Sequence, residues 1–285
     1  MPLRGPLPRA DVAIPAGAQF LSLTHNAAQG SRAYRLYVPA HRPKTPMPLI
    51  FMLHSCTQTP EDFATGTGMN PVAEAFGCLV AYRAQPTWAN AQKCWNWCRP
   101  EDQARGRGKP GLIADMTLAI QRDHHADPAR TFIASLSAAG AAAVITAAAC
   151  PEIFSAARVH SGLPAGSARD IPSTFAAMRS GSQARPHAVT LPTNDFHGLA
   201  DSTVHPDNGS AILAQALHAM PGLRTITRSG VAEGGRHYPG PRRTLALTTA
   251  VWRNIGRWTA RAKPGQAVTR RAAIPTPPAQ TPRSR

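Results

Sequence analysis

The sequence predicts an α/β fold, a mainly parallel central sheet with helices on both faces. Three observations carry this. "MPLIFMLH" (47–54) is continuously apolar, as a strand buried on both faces is. "GLIADMTLAIQRDHH" (111–125) repeats Leu112, Ile113, Met116, Leu118, Ala119 and Ile120 at helical spacing. "RTFIASLSAAGAAAVITAAAC" (130–150) reads as a short strand that turns at Ser137 into an Ala-rich helix. Strands that alternate with helices build parallel sheets.

The elements follow in chain order. Residues 1–30 read as a loose, Pro-rich lead-in; 1–17 are expected to be disordered and the folded domain to span 18–240. "RAYRLYVP" (32–39) alternates apolar and polar side chains, the pattern of a half-buried strand. After strand 47–54 come a broken helical stretch over 61–77 and a strand over 78–85. Helix 111–125, strand 131–135 and helix 138–149 come next, then strand 154–162, helix 208–220 and strand 223–229. Past residue 240 the composition changes: 241–285 hold no acid and end in Pro, Arg, Ala and Thr, so this aberrant tail is expected to be disordered.

The net charge of +16 belongs largely to that tail, which carries ten of the 31 Lys and Arg residues. The remainder holds 21 cations against 15 acids, an ordinary +6 for a domain of this size. The tail has no aromatic interleaving beyond Trp252 and Trp258, so no nucleic-acid partner is expected. No apolar run reaches membrane-spanning length, and the N-terminus lacks the apolar region of a signal peptide. Five cysteines give no complete disulfide framework, and the spacing "CWNWC" is not a usual zinc pattern, so no metal is expected.

Ser137 lies in Ser135-Leu136-Ser137-Ala138-Ala139, followed by Gly140. A nucleophilic serine on a strand-to-helix turn needs small residues at −2 and +2, so that helix and strand approach closely. Glycine usually fills both positions; here serine and alanine do. The plainer role for Ser137 is helix capping. "LHSCTQTPEDF" (53–63), just after the buried strand, is suited to supply an oxyanion-stabilising N–H from Cys56, with Ala138 supplying the other. "DFHGLADSTVHPDNG" (195–209) supplies Asp201 in the chain order a Ser–His–Asp unit requires, or else a turn aspartate.

With "RAYRLYVP", "LHSCTQTPEDF", "CWNWCRPEDQARG", "DPARTFIASLSAAGAA", "VHSGLP" and "ADSTVHPDNG", residues 18–238 resemble the poly(3-hydroxybutyrate) depolymerase family of esterases, α/β-hydrolases whose pattern runs LHGCTQ, CWNW, GLSAGG and HGDADxTVHPxN. The resemblance implies a secreted serine esterase acting on short-chain hydroxyacid polyesters or related esters, with no cofactor. It also implies a Cys56–Cys94 disulfide, the alternative being two buried thiols. Glycines of the pattern are Ser55, Ser135 and Ala139 here, and the first Asp of HGDAD is Leu199. Loss of glycine at a positive φ would strain the backbone and misplace the oxyanion N–H. The three tryptophans of "QPTWANAQKCWNW" suit either an acyl groove or the core.

A serine nucleophile needs a base, and the family's comes from a late GHAWSGG stretch absent here. His237 in "EGGRHYPG" has the right chain order and stands as the tentative base. His54, His160 and His205 read as loop hydrogen-bonding residues, and His124 and His125 as an exposed helix end. Read one base out of frame, the codons from Arg253 onward accommodate AWSGG followed by SYTDP, similar to the missing family end. The C-terminal part is therefore expected to be frameshifted or degenerate, with the last strand and helix missing. An inactive remnant is the alternative to an active esterase, and a binder of nucleic acid or anionic surfaces through the basic tail is the alternative from another class.

Overall fold

The structure, a computed structural model, describes residues 14–182 and 189–218, and as backbone alone 224–232, 236–246 and 252–256. Its centre is a sheet of order β1-β2-β4-β3-β5-β6-β7-β10-β9-β8. The strands are β1 (Gln19–Ala27), β2 (Gly30–Val38), β3 (Met47–Leu53), β4 (Leu79–Arg83), β5 (Ala126–Leu136), β6 (Ala156–His160), β7 (Thr193–Gly198), β8 (Arg224–Ala232), β9 (Arg236–Ala246) and β10 (Trp252–Gly256). From β4 to β10 along this order the pairing is parallel, while β1, β2, β8 and β9 pair antiparallel. The helices are α1 (Pro60–Thr67), α2 (Met69–Phe76), α3 (Gly108–Asp123), α4 (Ala138–Ala149), α5 (Ile171–Ser180) and α6 (Asp207–His218). None of the described helices is long and apolar enough to cross a membrane.

Local chemistry sets several of these boundaries. The broken stretch over 61–77 is two helices parted by Gly68, whose φ of 61° ends one and opens the other. Thr59 caps α1 in a capping box with Asp62. Period-two alternation divides each strand between two cores. Leu49, Phe51 and Leu53 join Ile113, Met116, Val144, Val159 and Ile212 on one face. Met52, Val80 and Tyr82 join Phe63 and Ala73 on the other.

That second face is covered by α1 and α2 over β2 and β4. Toward β6 and β7 it carries half-buried Phe132, Leu136 and Phe196 and exposed Arg158 and His160.

Beyond β7 and β9, which the sequence reading does not assign, three elements differ from it. β1 falls inside the expected lead-in and pairs with β2 along its whole length. α5 has a single buried residue, Ala177, and so shows no apolar stripe. Residues 252–256, read as irregular tail, form β10 and pair in parallel with Asn194–Gly198, which closes an otherwise open edge of β7. No helix follows α6 among the described residues.

Candidate active site

Ser137 joins β5 to α4 with φ 61° and ψ −126°, a conformation that non-glycine residues rarely hold. Its N–H donates to the His160 carbonyl at 2.8 Å, and its own carbonyl accepts from Gly140 N at 2.7 Å. The side chain makes no capping bond, although Ser137 stands at the helix N-terminus. The turn is tight because Gly140 meets Gly162: a Cβ on Gly140 would stand 2.5 Å from Gly162 Cα.

The expected strain at the replaced glycines is not there. Ser55, Ser135 and Ala139 are absent from the positive-φ positions; Thr57, at 65°, takes the turn in the loop after β3. Ser135 Oγ donates to the Arg158 carbonyl at 3.2 Å, and so the hydroxyl that replaces a glycine hydrogen is satisfied.

The loop after β3 is held from below. Buried His54 donates from Nδ1 to Ser55 O (2.7 Å) and accepts at Nε2 from Gln85 N (3.1 Å). These partners require the neutral ring, and desolvation, opposed by the Ser55 bond and aided by Arg83 and Lys93, holds its pKa below the ordinary value. Trp95 Nε1 donates to His54 O at 2.8 Å. Thr57 N donates to Gln92 O at 2.6 Å, and Cys56 is disulfide-bonded to Cys94. The N–H groups of Cys56 and Ala138 have no hydrogen-bond partner among the described residues.

Asp201 follows β7 in a turn. Its Oδ1 accepts from Thr203 N and Val204 N, both at 2.9 Å, so one oxygen does the work of a turn aspartate. Oδ2 lies 3.7 Å from Nε2 of His197, a buried ring whose Nε2 proton goes to the Val204 carbonyl at 2.8 Å. His197 is thus fixed in place through Nε2.

Strand order sets His160, at the end of β6, between the turn of Ser137 after β5 and that of Asp201 after β7. Its ring is stacked on Phe196 (centroids 6.4 Å apart). Although the residue keeps exposed surface, desolvation of the ring by its neighbours, then His197 and Arg158, and against them Asp201, hold its pKa below the ordinary value. The sequence reading gives it a loop role; the structure places it at the strand end, its carbonyl bonded to Ser137 N. His237 lies on β9 opposite Val231, and its side chain is outside the described residues. Trp95 and Trp97 are buried in the core, which leaves exposed Trp88, under the Arg32 guanidinium, as the one tryptophan of that stretch free for a groove.

The family model described as Esterase PHB depolymerase matches residues 32–225. The chain belongs to this family. Poly(3-hydroxyalkanoate) depolymerase C of Paucimonas lemoignei is 29% identical over 193 residues, covering 63% of the chain and 46% of that protein. Acetylxylan esterase A of Talaromyces purpureogenus is 28% identical over 204 residues, covering 64% and 51%. The chain thus spans about half the length of the curated relatives it matches. Among solved structures, an acetyl xylan esterase from Aspergillus awamori superposes with a TM-score of 0.70 over 85% of the chain and 92% of its own, at 19% identity, which shows the shared α/β-hydrolase fold. These relatives are carboxylic ester hydrolases.

Proposed function

We propose that the chain is a serine esterase that cleaves short-chain hydroxyacid polyesters or related esters through an acyl-enzyme on Ser137. One observation carries the reading: a serine at φ 61° on a strand-to-helix turn, with a hydroxyl that caps nothing. Ser137 Oγ attacks the ester carbonyl while a base takes its proton. The carbonyl oxygen gathers charge against the Cys56 and Ala138 N–H groups, and the alcohol leaves with the proton. Water then repeats the attack on the acyl-enzyme. Asp201 Oδ2 orients the base, for which His237 is the first choice by chain order and His160 the alternative by strand order. An extracellular setting fits the Cys56–Cys94 disulfide, since such bonds persist under oxidising conditions.

The inactive reading has its own observation: no histidine occurs in 238–285, which includes everything after β10. p-Nitrophenyl acetate and butyrate turnover, together with fluorophosphonate labelling, decides between the two. The esterase reading expects labelling at Ser137 and loss of turnover in Ser137→Ala. It also expects a fall of about 10²–10⁴-fold in whichever of His237→Gln and His160→Gln removes the base. Turnover no greater than that of Ser137→Ala makes the chain a non-catalytic member of the family.

A further inference from the structure

On the β4 side of the loop after β3 lies a groove of about 360 Å³, the size of a small-ligand site. Thr24 of β1, Arg35 of β2, Gln58 of the loop, Glu61 of α1, and Gln85 and Lys93 beyond β4 line it. Its walls belong to the two loops that the Cys56–Cys94 disulfide fastens together: Gln58 is two residues past Cys56, and Lys93 directly precedes Cys94. Gln58 and Gln85 follow the C-terminal ends of β3 and β4, as Ser137 follows that of β5. β4 stands two strands from β5, about 10 Å across the sheet. The groove therefore lies at the same sheet end as Ser137, a gap that a short chain molecule bridges.

The lining offers donors and almost no acceptors. Gln58 Oε1 accepts from Ser55 N at 2.9 Å, which leaves the Nε2 amide without a partner among the described residues. Gln85 is engaged at both ends, by Arg83 Nη1 and by the Cys94 carbonyl. Arg35 is answered: Nε stands 3.2 Å from Glu61 Oε1, and the guanidinium lies 4.5 Å from the centre of the Phe20 ring. Lys93 is not answered. Its ammonium enters no ion pair among the described residues, although it is half-buried and its charge acts on His54. The backbone at Lys93 holds φ 52°, and its N–H donates to Asn90 O at 2.8 Å, so the charge is presented from a set position.

We propose that this groove binds the carboxylate end of a linear hydroxyacid oligomer, with the Lys93 ammonium on the carboxylate and Gln58 Nε2 on an ester carbonyl. Such a chain is a row of acceptors with its charge at the acid end, which matches a free cation beside a free amide donor. A glycan brings hydroxyl donors as well, and Glu61, the carboxylate of the groove, is already held by Arg35. With the acid end here, an inner ester lies toward Ser137. Ser137 Oγ then takes the acyl side, and the unit held by Lys93 leaves as the alcohol with the proton. This second step, from groove to catalysis, rests on the serine-esterase reading; the binding itself does not.

The test uses the full chain as Ser137→Ala, so that no ligand is consumed, and titration calorimetry with the linear 3-hydroxybutyrate trimer, its methyl ester and the monomer. The trimer acid should bind about tenfold more tightly than its methyl ester. Lys93→Asn, a residue that suits the positive φ, should lose that preference, and Lys93→Arg should restore it. If Lys93→Asn does not fold, acid against methyl ester in the chain that keeps Lys93 decides. Equal binding of acid and methyl ester, a monomer that competes as well as the trimer, or a preference that survives Lys93→Asn overturns the proposal. With Ser137 intact, the trimer acid should turn over with a lower KM than its methyl ester at equal kcat, and Lys93→Asn should raise KM for the acid alone. If the trimer acid binds through Lys93 and no Ser137-dependent turnover exists, the esterase reading fails and the groove stands.

Discussion

Ser137 and Gly140 place opposite demands on one turn. Ser137 holds a positive φ at an expense of about 1–3 kcal/mol, tolerated when surrounding packing fixes it. Gly140 supplies the close approach to Gly162 that does so, with Val159 Cγ1 3.0 Å from where a Cβ would stand. Gly140→Ala sets that Cβ against backbone, which cannot swing away, and should destabilise by about 1–3 kcal/mol in urea unfolding. Unchanged stability would mean that the turn is set from elsewhere. The turn was legible in the sequence because small residues cluster around one serine between an apolar strand and an Ala-rich helix. Which small residue occupied each place was not decisive: Ser135 and Ala139 hold ordinary backbone angles, and the need for glycine falls on 140. Arg83, completely buried against the Trp95 ring, was illegible for a plain reason. A charge within the alternation of β4 gives no sign that its guanidinium is buried.

At the scale of elements, the loop from β3 to α1 hangs on a neutral histidine. His54 uses one nitrogen to donate and the other to accept, so a second proton breaks the bond from Gln85 N. Its folded pKa lies below the ordinary value of about 6.5. Between those two values the unfolded chain binds a proton that the folded chain does not. Stability should therefore rise with pH through the window below about 6.5 and level off above it. His124 and His160, also lowered by desolvation, add to the slope. Thermal midpoints from pH 5 to 8 check this: His54→Gln should melt lower at pH 7 and show a shallower slope, and an undiminished slope would take His54 out of the account. The loop itself was visible as a motif, but its support was not, since Gln85, Trp95 and Cys94 come from beyond β4. Other elements escaped for want of a pattern. The inward residues of β1 are only half buried, among Ser, Thr, His and Asn. α5 exposes Ile171 and Phe175 and buries little.

At the scale of the molecule, the fold was readable wherever a core is thick and faint where it thins. β3, β4, β5 and α4 stand between two cores or against the larger one, and their apolar runs announce them. On the second face, β6 and β7 have half-buried or exposed side chains, and the tail that follows carries no apolar pattern that would mark a covering element. A sheet covered so unevenly relies more on ties that do not depend on burial. The Cys56–Cys94 disulfide is such a tie: it spans 38 residues and fastens the loop after β3 to the loop after β4, with α1, α2 and β4 between. Closing a loop of that length in the unfolded chain is worth about 2–4 kcal/mol. Cys94→Ser should lower urea-unfolding stability by that amount, and wild-type protein in excess reductant should fall to the same value. Cys78, Cys98 and Cys150 remain as free thiols and give the reductant nothing else to break. If reductant leaves the wild type unchanged while Cys94→Ser is weakened, the loss belongs to the packing of the Cys94 side chain rather than to the cross-link, since the hydrogen bonds of residue 94 to Asn90 and Gln85 are made by its backbone and survive the substitution. The loop that presents the Cys56 N–H would then depend on hydrogen bonds alone, and the argument for an oxidising environment would lose its footing in this chain.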